Sequence, residues 1–88
     1  ERFERMDLRF YHMSQEEILS SVKGFLDARS EEYSERKAGR RSVIALTGAK
    51  VVISVTEQPG DDSEIIIECM VPASTELCED LKKHLDQA

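Results

Sequence analysis

The spacing of apolar residues alternates between two periods along the chain, and each change marks an element. From Met6 to Met13, Met6, Leu8, Phe10 and His12 share one face, while Asp7, Arg9, Tyr11 and Met13 share the other. A period of two predicts a half-buried strand. Ser14 followed by Glu17 forms a capping box, in which the serine hydroxyl accepts from the third helical N–H and the glutamate accepts from the serine N–H. The helix that starts there carries Ile18, Leu19, Val22, Phe25 and Leu26 as one apolar stripe. Glu16, Ser20, Lys23 and Asp27 are left to solvent, and Gly24 is either tolerated or permits a close approach.

Between Arg29 and Arg41 the apolar content falls to Tyr33 and Ala38, and Gly39 supplies a break, so a polar connection is expected there. Residues 42–46 and 50–56 are rich in β-branched side chains and flank Thr47-Gly48-Ala49, which predicts an antiparallel hairpin. Pro59-Gly60-Asp61-Asp62 is a turn, after which Ile65, Ile67, Cys69 and Val71 define one face of a further strand. Pro72 ends it, Ser74 or Thr75 can cap a second helix, and Leu77, Cys78, Leu81 and Leu85 recur at helical spacing. The expected order is β-α-β-β-β-α. The expected fold class is an α+β two-layer sandwich, with a four-stranded antiparallel sheet and both helices on one face. The first strand pairs with a meander strand that the pattern does not specify. The stripes bring Ile18, Val22, Leu26, Leu81 and Leu85 into a common core with Ile53 and Ile67.

A length of 88 residues fits one domain, taken as residues 1–88. There is no apolar run of about 20 residues to cross a membrane as a helix. The chain opens on Glu1 without a signal-like segment, and we read it as a domain cut from a longer protein. Two cysteines, Cys69 and Cys78, make neither a disulfide framework nor a zinc site, so they are expected to be reduced thiols acting as small buried hydrophobes. The expected localisation is cytoplasmic, with the nucleus or a membrane periphery as alternatives.

The balance of 12 Lys and Arg against 18 Asp and Glu gives a net charge of -6, the wrong sign for broad nucleic-acid binding. The charges are clustered, however. Arg36, Lys37, Arg40 and Arg41, with Lys50 nearby, are the candidate residues for binding an anion or a partner. Glu57, Asp61, Asp62 and Glu64 form an acidic counterpart. The plainer reading of both clusters is solvated loops.

No catalytic constellation emerges. His12 and His84 lack companions at metal-ligand spacing, and His84 suits the negative end of the last helix. The glycines are isolated, so no phosphate loop is expected, and pairs such as Asp61 with Asp62 or Glu16 with Glu17 lack a partner base. The sequence therefore predicts a domain without catalytic residues, metal or cofactor.

Leu8-Arg9-Phe10, Ser14-Gln15-Glu16-Glu17-Ile18, Phe25-Leu26-Asp27-Ala28 and Glu32-Tyr33, in that order, resemble the opening of the kinase-associated C-terminal domain of MARK and AMP-activated Ser/Thr protein kinases. The later hairpin, strand and helix, with Cys78 near the helix start, are compatible, so the resemblance spans residues 6–87. It implies a non-catalytic regulatory domain with two helices on a four-stranded sheet. Such domains restrain the kinase domain in cis, dock on protein partners or bind anionic phospholipid. The chain departs from the family at Ile67-Glu68-Cys69-Met70-Val71, where many members carry basic residues, and Glu68 would repel a lipid phosphate. Protein docking is accordingly expected ahead of membrane targeting, and a docking domain of a non-kinase adaptor is the further alternative.

Overall fold

The computed structural model describes residues 1–87. Its elements are β1 (Arg2–Phe10), α1 (Gln15–Ala28), β2 (Tyr33–Ala38), β3 (Arg41–Leu46), β4 (Val51–Gln58), β5 (Asp62–Val71) and α2 (Thr75–Asp86). The fold is α+β, with one open antiparallel sheet in the order β1-β5-β4-β3-β2. The sheet has five strands rather than the four expected, because the polar connection between α1 and β3 itself forms β2.

Local chemistry explains most of these elements. Ser14 and Glu17 close the capping box in both directions, through Ser14 Oγ accepting from the Glu17 N–H and Glu17 Oε1 accepting from the Ser14 N–H. Ser74 occupies the N-cap of α2 but makes no side-chain cap bond. β1 runs earlier than the pattern suggested: it ends at Phe10, and His12 follows at a φ of 61°. His12 is therefore exposed in a turn rather than inward, whereas Met13, expected outside, packs against the core. Gly24 has open space around its absent side chain, so close packing does not account for it.

One face of the sheet is closed by both helices. Ile44, Ile53, Val55, Ile65 and Ile67 from the strands meet Ile18, Val22 and Leu26 of α1 and Leu81 and Leu85 of α2, all at 0–1% exposure. Each such side chain contributes roughly 1.5–3 kcal/mol through removal from water. The helices also contact each other. His84 lies against the Phe25 ring at 5.3 Å, the Arg29 guanidinium sits 5.3 Å above the same ring, and Arg29 pairs with Asp80 at 3.0 Å.

The cysteines depart from expectation. Cys69 on β5 and Cys78 on the first turns of α2 are joined in a disulfide, so they are not reduced thiols. Both lie on the buried face, as their spacing predicts, and the docking of α2 over β5 brings them together. A reducing compartment is therefore no longer implied. Among the described residues, no helix is long and apolar enough to cross a membrane.

Candidate functional site

Alternation along each strand fixes which residues lie on the face away from the helices. Following the register from β1 to β2, successive rows on this open face are Arg5, Glu68, Val52, Ala45 and Ser34, then Asp7, Ile66, Ser54, Val43 and Arg36, then Arg9, Glu64, Thr56, Arg41 and Ala38. Phe3 stands opposite Met70 beyond the first row, and its side chain is 58% exposed. The face has an apolar centre bordered by charges of both signs.

Among the five candidate cations, Arg36 and Lys37 lie on β2, Arg40 in the hairpin loop and Arg41 at the start of β3. They were expected on a loop and instead form a hairpin corner. Its two-residue loop, Gly39-Arg40, uses Gly39 at a φ of 62°, a conformation that glycine adopts without steric penalty. Arg36 and Arg41 are diagonal neighbours on the open face, within roughly 7–8 Å at their backbones.

Lys37 lies on the opposite face, where its ammonium reaches Gln15 Oε1 at 3.4 Å. Lys50 sits at the far end of β4, about 20 Å away at the usual rise per residue. Only Arg36, Arg40 and Arg41 therefore share a corner. None of the five forms an ion pair among the described residues.

The acidic cluster lies beside this corner. The Glu57 N–H donates to the Arg40 carbonyl, and a shallow hollow places Arg40 with Glu57, Asp61 and Asp62. Asp62 Oδ1 in turn accepts from the His12 N–H. Opposed strand ends bring the two clusters to one edge, so the corner is a mixed field rather than a purely basic patch.

A second hollow occupies the other end of the open face. Phe3, Met70, Val52 and Ala45 line it, the Thr47–Gly48–Ala49 loop forms its rim, and Lys50 stands beside it. The sequence did not reveal this apolar hollow, because its formation requires β1 to lie next to β5.

Gln15 was also missed. This first helical residue is 3% exposed, and its Nε2 donates to the carbonyl oxygens of Arg40 at 2.9 Å and Val55 at 2.8 Å. It ties the start of α1 to the β2–β3 hairpin and to β4. Further along, Lys23 pairs with Glu35 and the Tyr33 hydroxyl donates to Asp27 Oδ1, holding β2 against α1. The hydrogen bond with Glu35 raises the Lys23 pKa against a smaller desolvation effect; burial, then the bond to Asp27, raises that of Tyr33.

Compared with known proteins, the chain matches no family model and no curated protein.

Proposed function

We propose that this chain is a non-catalytic protein-docking and regulatory domain that engages its partner through the open face of the sheet. The observation carrying this reading is the hollow of Phe3, Met70, Val52 and Ala45, an apolar concavity at the end of the open face that runs round to Ser74 before α2, with Lys50 and Glu1 at its margin. Apolar anchors inside a charged border are the arrangement by which protein interfaces gain affinity from a few central contacts. Anionic lipid fits less well. Glu57, Asp61 and Asp62 adjoin the Arg36, Arg40 and Arg41 corner, and the net charge of -6 opposes approach to an anionic membrane.

The resemblance to kinase-associated domains attaches this role to a Ser/Thr kinase tail, acting on the kinase domain in cis or on a protein partner. The Cys69–Cys78 disulfide favours a second reading, a docking domain of a protein that is not a kinase, since such bonds persist in oxidising compartments and are rare in the cytosol.

The test compares the parent protein with and without residues 1–88 for kinase activity, localisation and partners recovered, with Val52→Glu placed in the hollow. The docking reading expects a partner or an activity change that Val52→Glu abolishes. Alkylation of the protein from its native source then separates the readings: blocked thiols favour the non-kinase reading, and free thiols the kinase tail. Tight sedimentation with phosphatidylserine vesicles that Arg40→Glu with Arg41→Glu abolishes would replace docking by membrane targeting. No change in activity, localisation or partner capture would remove support for docking.

A further inference from the structure

We propose that β1 is a self-association edge, through which two copies of this chain join their sheets antiparallel about a two-fold axis at Met6. This surface is the outer edge of β1; it shares only Phe3 with the hollow used in the docking proposal.

The backbone sets the first condition. The Met70 N–H donates to the Lys50 carbonyl, so even-numbered residues of β5 address β4 and odd-numbered ones address β1. The register then pairs those odd-numbered residues with Arg2, Glu4, Met6, Leu8 and Phe10. Phe3, Arg5, Asp7 and Arg9 are left with their N–H and carbonyl groups directed to the outer edge, a template for another strand. Their side chains all lie on the open face.

The side chains set the second condition. Charges on an edge strand ordinarily discourage pairing. Reading β1 against its own reverse about Met6 instead places Arg5 opposite Asp7 of a second copy, Asp7 opposite Arg5, and Phe3 opposite Arg9 at both ends. Opposite charges meet at the centre, and a guanidinium meets an aromatic ring at each flank. The overlap covers the whole strand, Arg2–Phe10, and every outward-facing residue meets another, so each pair can exchange both hydrogen bonds.

Other registers fail. A slip of one residue sets outward groups against inward ones and exchanges the faces. A slip of two sets Arg5 against Arg5, or Asp7 against Asp7 with Arg5 against Arg9. The opposite edge, β2, cannot do the same. Its register about Arg36 sets Glu35 opposite Lys37 but brings the two Arg36 side chains together, and the neighbouring symmetric registers set Glu35 against Glu35 or Lys37 against Lys37. Its helix-facing side chains are already engaged by Lys23, Asp27 and Gln15.

Sedimentation equilibrium of the 88-residue chain, from micromolar to millimolar concentration, tests the inference. The native chain should dimerise. Asp7→Arg reverses the two central pairs and should raise the dimer dissociation constant about tenfold or more. Arg5→Asp combined with Asp7→Arg exchanges the partners and should recover most of that loss. Circular dichroism checks that each variant folds; should Asp7→Arg not fold, Asp7→Asn gives the same direction at about threefold. A native chain that stays monomeric throughout overturns the proposal. So does a dimer indifferent to the charge at position 7, or a double variant no tighter than Asp7→Arg alone.

Discussion

His84 Nε2, in the last turn of α2, lies 3.0 Å from the Ser21 hydroxyl and 3.1 Å from the Ser21 carbonyl oxygen of α1. A ring N–H in this position donates to the carbonyl and leaves the imidazole packed on Phe25, beneath Arg29. The histidine is therefore part of the helix-to-helix contact as well as a residue at a helix end. His84→Ala should lower stability by about 1–2 kcal/mol in urea titration. Combining it with Phe25→Ala should cost less than the two separate losses, because they share one contact. Strict additivity would show that the two rings act independently.

Gln15 should be sensitive to a change that preserves its bulk. Gln15→Leu keeps the volume but removes both donors from the Arg40 and Val55 carbonyls, and should cost about 1–3 kcal/mol. The measurement is the urea midpoint at an unchanged denaturant slope. A loss below about 0.5 kcal/mol would show that the amide does not tie α1 to the hairpin.

The disulfide closes a loop with a sequence separation of 9. In the chain-entropy account, a loop of that length stabilises by about 2.5 kcal/mol. Reduction should lower the unfolding midpoint accordingly while leaving one cooperative transition, because the apolar residues around it stay buried. Cys78→Ala should match the reduced native chain to within about 1 kcal/mol. Loss of the cooperative transition in both would mean that the bond is needed for folding itself.

Stability should fall on the alkaline side. The pKa values of Lys23 and Tyr33 are raised in the folded chain above their ordinary values of 10.5 and 10.0. Each contribution is present in full below the unfolded value and is lost as pH rises through the folded one. Lys23→Met and Tyr33→Phe should each flatten the decline above about pH 10. At neutral pH, Lys23→Met should cost under about 1 kcal/mol, since its ion pair with Glu35 is partly exposed to screening solvent. Decline curves unchanged by both substitutions would refute this assignment.

What could be read from the sequence was whatever repeats on a buried face. The stripes through Leu26 and Leu81 and the meander of β3, β4 and β5 show a period because one side is dry and the other wet, while the capping box at Ser14 is legible from its residue types alone. β2 shows none: Ser34 through Ala38 are exposed on both sides, so burial imposes no alternation on them. Its one local signal was Gly39 opening a two-residue loop. The candidate cations were visible as a cluster along the chain, yet faces and ends separate Lys37 and Lys50 from Arg36 and Arg41. The hollow around Phe3 and Met70 and the bond between Cys69 and Cys78 depend on which elements become neighbours, and a single chain pattern does not carry that information.

The position of β1 sets the order of assembly. β2 through β5 are joined successively by hairpins, each closing a short loop, whereas β1 reaches β5 only after α1 and three other strands have intervened. Its ladder is the most entropically expensive to close, and among the described residues of a single copy no strand pairs with its other side. β1 of a single copy is therefore expected to dock after the meander has formed and to fray before it melts. Its amides at Glu4, Met6 and Leu8 should exchange with solvent hydrogen through local opening, at a lower free energy than those of Ile53 or Ile67, whose release requires the whole domain to unfold.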